Sequence, residues 1–294
     1  MSPPLFIALP GNEAMAQSVA GLAGGETGLL ETRAFPDGET YLRFAGDIAG
    51  RDVALVCTLA RPNEKIPPLL FAAAATRDLG ARRIGLVAPY LCYMRQDARF
   101  HPGEAVTSRH FAALVSGAFD WLATVDPHLH RYRALDEIYA IPAQALHAGP
   151  ALARWIAANV ERPFLVGPDV ESAQWVEAVA KFCGAPFATL RKRRLGDRAV
   201  EIDPAGIAFG DATPVLLDDI ISSGRTILAA LAALAPQMRR PPVVVAVHGV
   251  FADGADREIV AAGARLAVTN SVPGAASLID IAQLLAPAVA GLVR

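Results

Sequence analysis

The chain predicts an α/β protein built on mainly parallel sheets. Two observations carry this. Short runs rich in Val, Ile and Leu alternate with Ala- and Leu-rich stretches of helical length, and the polar residues of most chemical interest fall just beyond the apolar runs. A third bounds it: 294 residues suffice for two domains of ordinary size, each with its own core. In chain order, strands are expected at residues 5–9, 52–58, 83–88 and 121–125, then at 163–166, 215–217, 243–248 and 266–269. Each is a brief apolar run, and most are closed by Pro, Gly, Asp or His. Helices are expected at 12–22, 67–79, 107–117, 149–159, 171–182, 226–235 and 253–262. The halves read as similar α/β units without a clear internal repeat. The boundary is placed near residues 143–149, which divides the chain into domains 1–146 and 147–294.

Composition narrows the function. A hydrophobic fraction of 53% supports well-buried sheets, yet Arg, Asp, Pro or His interrupts every apolar run before it reaches membrane-spanning length, so no membrane span is expected. Residues 1–11 lack a basic leader and a long apolar stretch, so they read as a first strand and not as a secretory signal. Cys57, Cys92 and Cys183 are odd in number, far apart and without CxxC spacing, which suggests neither a disulfide framework nor a zinc knuckle and fits a reducing cytoplasm. With 27 Lys and Arg against 29 Asp and Glu, the net charge of −2 offers no global field for nucleic acid. Small-molecule chemistry is the expectation.

One stretch points to its class. The run Val215-Leu216-Leu217 meets the carboxylates Asp218 and Asp219, then Ile220, Ile221, Ser222, Ser223, Gly224, Arg225 and Thr226 before a helical stretch. A strand that stops at a loop of small residues and feeds a helix aims free backbone N–H groups and the positive end of the helix dipole at one spot, which suits a phosphate. Adjacent acids repel a bare phosphate. They suit sugar hydroxyls or a phosphate-bound metal ion. The loop therefore reads as a sugar-phosphate cradle, with a plain turn capped by Asp219 and Ser222 as the bland alternative. No GxxxxGK[ST] string occurs, so an ordinary P-loop nucleotidase is disfavoured.

Other segments are weaker singly. Phe35-Pro36-Asp37-Gly38-Glu39 is a turn signal first. An exposed Phe beside two acids can also stack on a purine and hold its amino group or ribose. Residues 90–104 follow a strand and mix aromatics, cations and an amide without helical periodicity; a loop that long is more often functional than not. In it, Arg95 and Arg99 suit polyphosphate, since guanidinium matches its oxygens bidentately. Asp126-Pro127-His128 and Asp169 stand at further strand ends, where a hydrated magnesium ion needs few protein ligands beside phosphate oxygens. Arginine carries almost all the positive charge, which isolates Lys192 within Arg191-Lys192-Arg193-Arg194. That segment is too charged for a core strand and reads as a mobile hairpin or loop.

The Asp-Asp-Ile-Ile-Ser-Ser-Gly-x-Thr string resembles the ribose-phosphate loop of type I phosphoribosyltransferases. The full order FPDGE, PYxxYxRQD, DPH, GPD, KRR, DDIISSGxT and HGxF resembles the ribose-phosphate pyrophosphokinases over nearly the whole chain, closest to a divergent class III-like subgroup. The resemblance implies two type I phosphoribosyltransferase-like domains, each a mainly parallel sheet flanked by helices. It further implies homo-oligomers, dimers or hexamers, and transfer of pyrophosphate from Mg-ATP to the 1-hydroxyl of ribose 5-phosphate. By matching residues, Phe35, Asp37 and Glu39 would touch adenine across a subunit interface, and Arg95 and Gln96 would bind ATP. His128 and Asp169 would serve magnesium, Asp218 and Asp219 the ribose hydroxyls, and Ser222, Ser223, Gly224, Arg225 and Thr226 the 5-phosphate. Lys192 and Arg194 match the catalytic loop. Two departures stand out: the basic run that follows the RQD motif in phosphate-activated members is missing, and Arg225 replaces a customary glycine. A second reading is a weakly active or inactive regulatory paralogue that binds nucleotide or sugar phosphate. A third, an ordinary phosphoribosyltransferase, leaves the FPDGE and RQD segments without a role.

Overall fold

The computed structural model describes residues 2–169, 172–194, 200–203 and 206–293. The chain forms two compact units, residues 1–147 with 281–294, and residues 148–280.

In the first unit the elements run β1 (Leu5–Ala8), α1 (Glu13–Ala23), β2 (Glu26–Ala34), β3 (Thr40–Ala45), β4 (Asp52–Val56), α2 (Ile66–Asp78), β5 (Arg83–Ala88), α3 (Thr107–Ala118), β6 (Trp121–Val125) and β7 (Ala143–Leu146). They build a seven-stranded sheet in the order β3-β2-β1-β4-β5-β6-β7. Every pairing is parallel except that of β2 with β3. Strands β4 and β6 are buried along their full length, as central parallel strands covered on both faces must be. These and β1 and β5 are the expected strands. The ribbon β2–β3 and the edge strand β7 were not, because their residues are mostly exposed or half-buried and carry no continuous apolar run. Asn12 links two strand ends: its side-chain oxygen accepts from Thr58 N–H at 2.7 Å, and its amide donates to the Leu9 and Pro10 carbonyls.

In the second unit follow α4 (Gly149–Asn159), β8 (Pro163–Gly167), α5 (Ala173–Cys183), β9 (Phe187–Thr189), β10 (Arg191–Arg194), β11 (Val200–Asp203), β12 (Thr213–Ile221), α6 (Arg225–Leu234), β13 (Val243–Gly249), α7 (Ala255–Ala261), β14 (Arg265–Thr269) and β15 (Ser277–Ile279). A six-stranded parallel sheet has the order β15-β14-β13-β12-β8-β9, while β10 and β11 pair antiparallel in a two-stranded sheet of their own. Leu216, Val244, Ala246, Leu231 and Ile259 belong to one apolar core between this sheet and its helices. Strand β12 is longer than expected. It runs on through Asp218 and Asp219, because its pairing with β13 continues to Ile221 opposite Gly249.

The last helix, α8 (Ala282–Leu292), corrects the expected second domain of 147–294. It packs against α1, β6 and β7 of the first unit, with Leu285, Ala286 and Val289 buried. Pro287 within it masked the helical pattern. Among the described residues no helix is long and apolar enough to cross a membrane.

Candidate active site

In the second unit the carboxyl end of β12 turns into α6 through Ser222, Ser223 and Gly224. Gly224 precedes the helix with φ +69°, a left-handed conformation that side chains other than glycine's resist. A Cβ there would also lie 3.0 Å from the Ala255 Cβ. Gly224→Ala is therefore expected to cost about 1 kcal/mol of stability, read by urea unfolding. The strain falls on Gly224 and not on Arg225, which opens α6 in ordinary helical conformation with its side chain exposed. The departure at Arg225 thus does not crowd the turn. The far side is clamped by the HGxF segment: Val250 and Phe251 N–H groups donate to the Ile221 carbonyl at 3.0 and 3.1 Å, and Ala252 N–H to the Ser222 carbonyl at 3.0 Å. Gly249 is needed there, since a Cβ on it would meet the Phe251 ring at 2.4 Å.

Asp218 and Asp219 are half-buried on the last residues of β12, and Asp219 N–H donates to Asp218 Oδ1 at 3.0 Å. Burial pushes the Asp218 carboxyl well above the usual carboxylate range, and the adjacent Asp219 and then Asp169 add to it. Asp169 lies just past β8. Its Oδ1 accepts from Ser172 N–H at 3.1 Å while Ser172 Oγ donates to its carbonyl at 2.6 Å, closing the turn into α5. Val170 and Glu171 lie outside the described residues. Beneath this edge His248, Thr269 and Ser271 are buried together: the His248 Nδ1 and Ser271 Oγ are 2.8 Å apart, and Thr269 Oγ1 donates to the Val247 carbonyl at 2.7 Å.

The segment of Lys192 and Arg194 is a hairpin strand. Lys192 stands opposite Ile202 and Arg194 opposite Val200. The expectation of a mobile hairpin or loop covered residues 191–196, of which Leu195 and Gly196 lie outside the described residues.

In the first unit residues 35–39 form the tip of the β2–β3 ribbon. Phe35 N–H donates to the Glu39 carbonyl at 2.7 Å and Glu39 N–H to Asp37 Oδ1 at 3.2 Å, with Gly38 in left-handed conformation. Phe35, Asp37 and Glu39 are all exposed. The Phe35 ring is edge-on to Tyr41 at 6.2 Å, and the Arg33 guanidinium lies over both rings at 4.6 and 4.3 Å. The turn reading and the exposed aromatic are thus both present, on a ribbon that projects them.

Residues 89–106, between β5 and α3, are irregular as expected. Leu91, Cys92 and Met94 anchor the loop in the core, while Arg95 is exposed and Gln96 half-buried. Thr107 Oγ1 donates to Gln96 Oε1 at 3.3 Å, and Arg99 donates to the Glu104 carbonyl at 3.0 Å. Beyond β6, Asp126 and His128 take left-handed conformations at φ 35° and 56°, strain of the kind that concentrates at functional sites. The His128 and His130 ring centroids are 4.1 Å apart. His147 Nδ1 lies 3.0 Å from Asp126 Oδ1, and that hydrogen bond raises the His147 pKa above the ordinary imidazole value.

Sequence reasoning gave no role to Arg131, Tyr132, His147, Thr269 or Ser271, nor to Asp97 beyond its place at the end of the RQD motif; the partners described for the others lie far away in the chain.

Each unit, then, is a mainly parallel sheet whose carboxyl edge carries acids and hydroxyls, and the class is that of paired phosphoribosyltransferase-type domains. Residues 5–118 match the model of the N-terminal domain of ribose phosphate pyrophosphokinase, and residues 134–262 that of the phosphoribosyl transferase domain. The ribose-phosphate pyrophosphokinase of Thermoplasma acidophilum is 30% identical over 97% of this chain and 98% of its own. That of Methanopyrus kandleri is 33% identical over 90% of each. The crystal structure of phosphoribosylpyrophosphate synthetase from Mycobacterium smegmatis superimposes with a TM-score of 0.84 at 25% identity, covering 98% of both chains. The chain belongs to the ribose-phosphate pyrophosphokinase family.

Proposed function

We infer that this chain transfers the diphosphoryl group of Mg-ATP to the 1-hydroxyl of ribose 5-phosphate, giving 5-phosphoribosyl diphosphate and AMP. The observation that carries the reading is the edge of β12. Two acids lead directly into a turn of small hydroxyl residues at the start of α6, within a chain related over nearly its full length to ribose-phosphate pyrophosphokinases.

The roles divide by unit. In the second, Asp218 and Asp219 accept hydrogen bonds from the ribose hydroxyls, and Ser222, Ser223, Gly224, Arg225 and Thr226 hold the 5-phosphate. Arg225 supports this: a cation in the first turn of a helix opposes the dipole, and a bound phosphate reverses the balance. In the first unit Arg95 and Gln96 bind ATP, and Phe35, Asp37 and Glu39 take the adenine, across a subunit interface of a homo-oligomer. The 1-hydroxyl oxygen forms a bond to the β-phosphorus, giving up its proton to solvent, as the bridging oxygen departs with AMP. Lys192 and Arg194 stabilise the charge that grows on both groups.

Magnesium fits the donors of the second unit. Burial, then Asp219 and to a lesser degree Asp169, raises the pKa of Asp218, and a divalent cation would relieve this crowding of buried acids. Asp169 would be the magnesium residue of that edge, and His128 that of the first unit's strained turn. Bound magnesium would neutralise phosphate oxygens and fix their geometry. AMP release from ATP should require both ribose 5-phosphate and magnesium and stop on chelation. Release of ADP or free phosphate in place of AMP would overturn the reading.

A further inference from the structure

We propose that Arg131 is a positioning residue for the nucleotide-binding segment, acting through Asp97; this rests on the reading of Arg95 and Gln96 as ATP residues. Asp97 follows Gln96 directly, yet where Arg95 faces solvent, the Asp97 side chain is only 2% exposed. A buried carboxylate needs a cation, and Arg131 Nη1 supplies one at 2.7 Å from across 34 residues of chain. The guanidinium carbon also lies 5.0 Å from the Phe100 ring centroid, so one side chain grips the loop at two places.

The next residue repeats the connection. The Tyr132 hydroxyl donates to the Asp97 carbonyl at 3.3 Å and lies 3.1 Å from Ser108 Oγ, while Ser108 N–H donates to the Gln96 carbonyl at 3.3 Å. Two loops that leave neighbouring strands, β5 and β6, are thereby tied through Arg131 and Tyr132. One carries Arg95 and Gln96; the other carries His128, three residues before Arg131. If the Asp97 carboxylate lost its cation it would turn to water. Arg95 and Gln96 would move with it, since they are its immediate chain neighbours.

The test uses the full-length protein with Arg131→Gln, Arg131→Lys, Asp97→Asn and the Arg131→Gln/Asp97→Asn double variant. Michaelis constants are read from AMP release, and amide exchange over residues 90–104 is read without substrates. Arg131→Gln should raise the KM for ATP about tenfold, change the KM for ribose 5-phosphate and kcat by less than about twofold, and speed exchange in the loop. Arg131→Lys should recover most of the ATP affinity, and the double variant should be no worse than the poorer single one. An unchanged KM for ATP, equal changes for both substrates, or additive single effects would overturn the proposal. Should the wild type release no AMP with ribose 5-phosphate, the functional reading fails by itself. Loop exchange then still decides: faster in Arg131→Gln supports the clamp, unchanged overturns it.

Discussion

Lys192→Ala is expected to lower kcat about a hundredfold or more while ATP binding stays nearly intact, as removing a preorganised charge-stabilising group does. The placement of Lys192 argues for this. Among the described residues β10 pairs with β11 and belongs to neither large sheet. A two-stranded hairpin is marginal alone, and a segment of this kind can close over bound nucleotide. Cations that engage the diphosphoryl group chiefly as it transfers add little to ground-state binding and much to turnover. Single-turnover AMP formation beside equilibrium ATP binding separates the two. A variant with near wild-type turnover, or one defective only in ATP binding, would remove Lys192 from the chemistry.

Asp219→Asn is expected to weaken ribose 5-phosphate about tenfold or more, with a smaller effect on ATP, since a hydrogen bond to a charged group contributes roughly 1.5–3 kcal/mol. Asp218→Asn should be the milder change. Burial and its acidic neighbours raise the Asp218 pKa well above the usual range, and asparagine resembles a protonated acid. The same shift has a stability consequence. A folded-state pKa raised above the unfolded value means that the wild type loses stability as pH rises through the raised value. Asp218→Asn escapes that loss, so without metal or substrate its Tm should exceed that of wild type at high pH and converge with it at low pH. Equal weakening of both substrates in Asp219→Asn, or a Tm difference independent of pH, would place these acids elsewhere.

The fold class, the central strands and the composition of the turn from β12 into α6 were legible because each is local. Buried parallel strands read as continuous apolar runs, and a Ser-Ser-Gly turn before an Ala/Leu stretch announces a helix start wherever it lies. The ribbon β2–β3 escaped notice because its residues are exposed or only half-buried and carry no such run. Its turn, residues 35–39, was nonetheless readable from Pro36 and Gly38. Strand β12 was read short because a charged pair usually ends a buried strand. Pairing with β13 instead carries the backbone through Asp218 and Asp219 to Ile221.

By itself, then, the sequence determined the central strands of the two sheets, the Ser-Ser-Gly turn that leads into α6 and the two acids that stand beside it. Tertiary structure alone decided that the final helix returns to the first unit, that positive φ falls on Gly224 and spares Arg225, and that Asp97 finds its cation in Arg131. The physical reason is one of range. Periodicity and turn chemistry act between near neighbours, whereas the partner of a buried charge and the surface that covers a helix are settled only when distant segments compete for the same buried space.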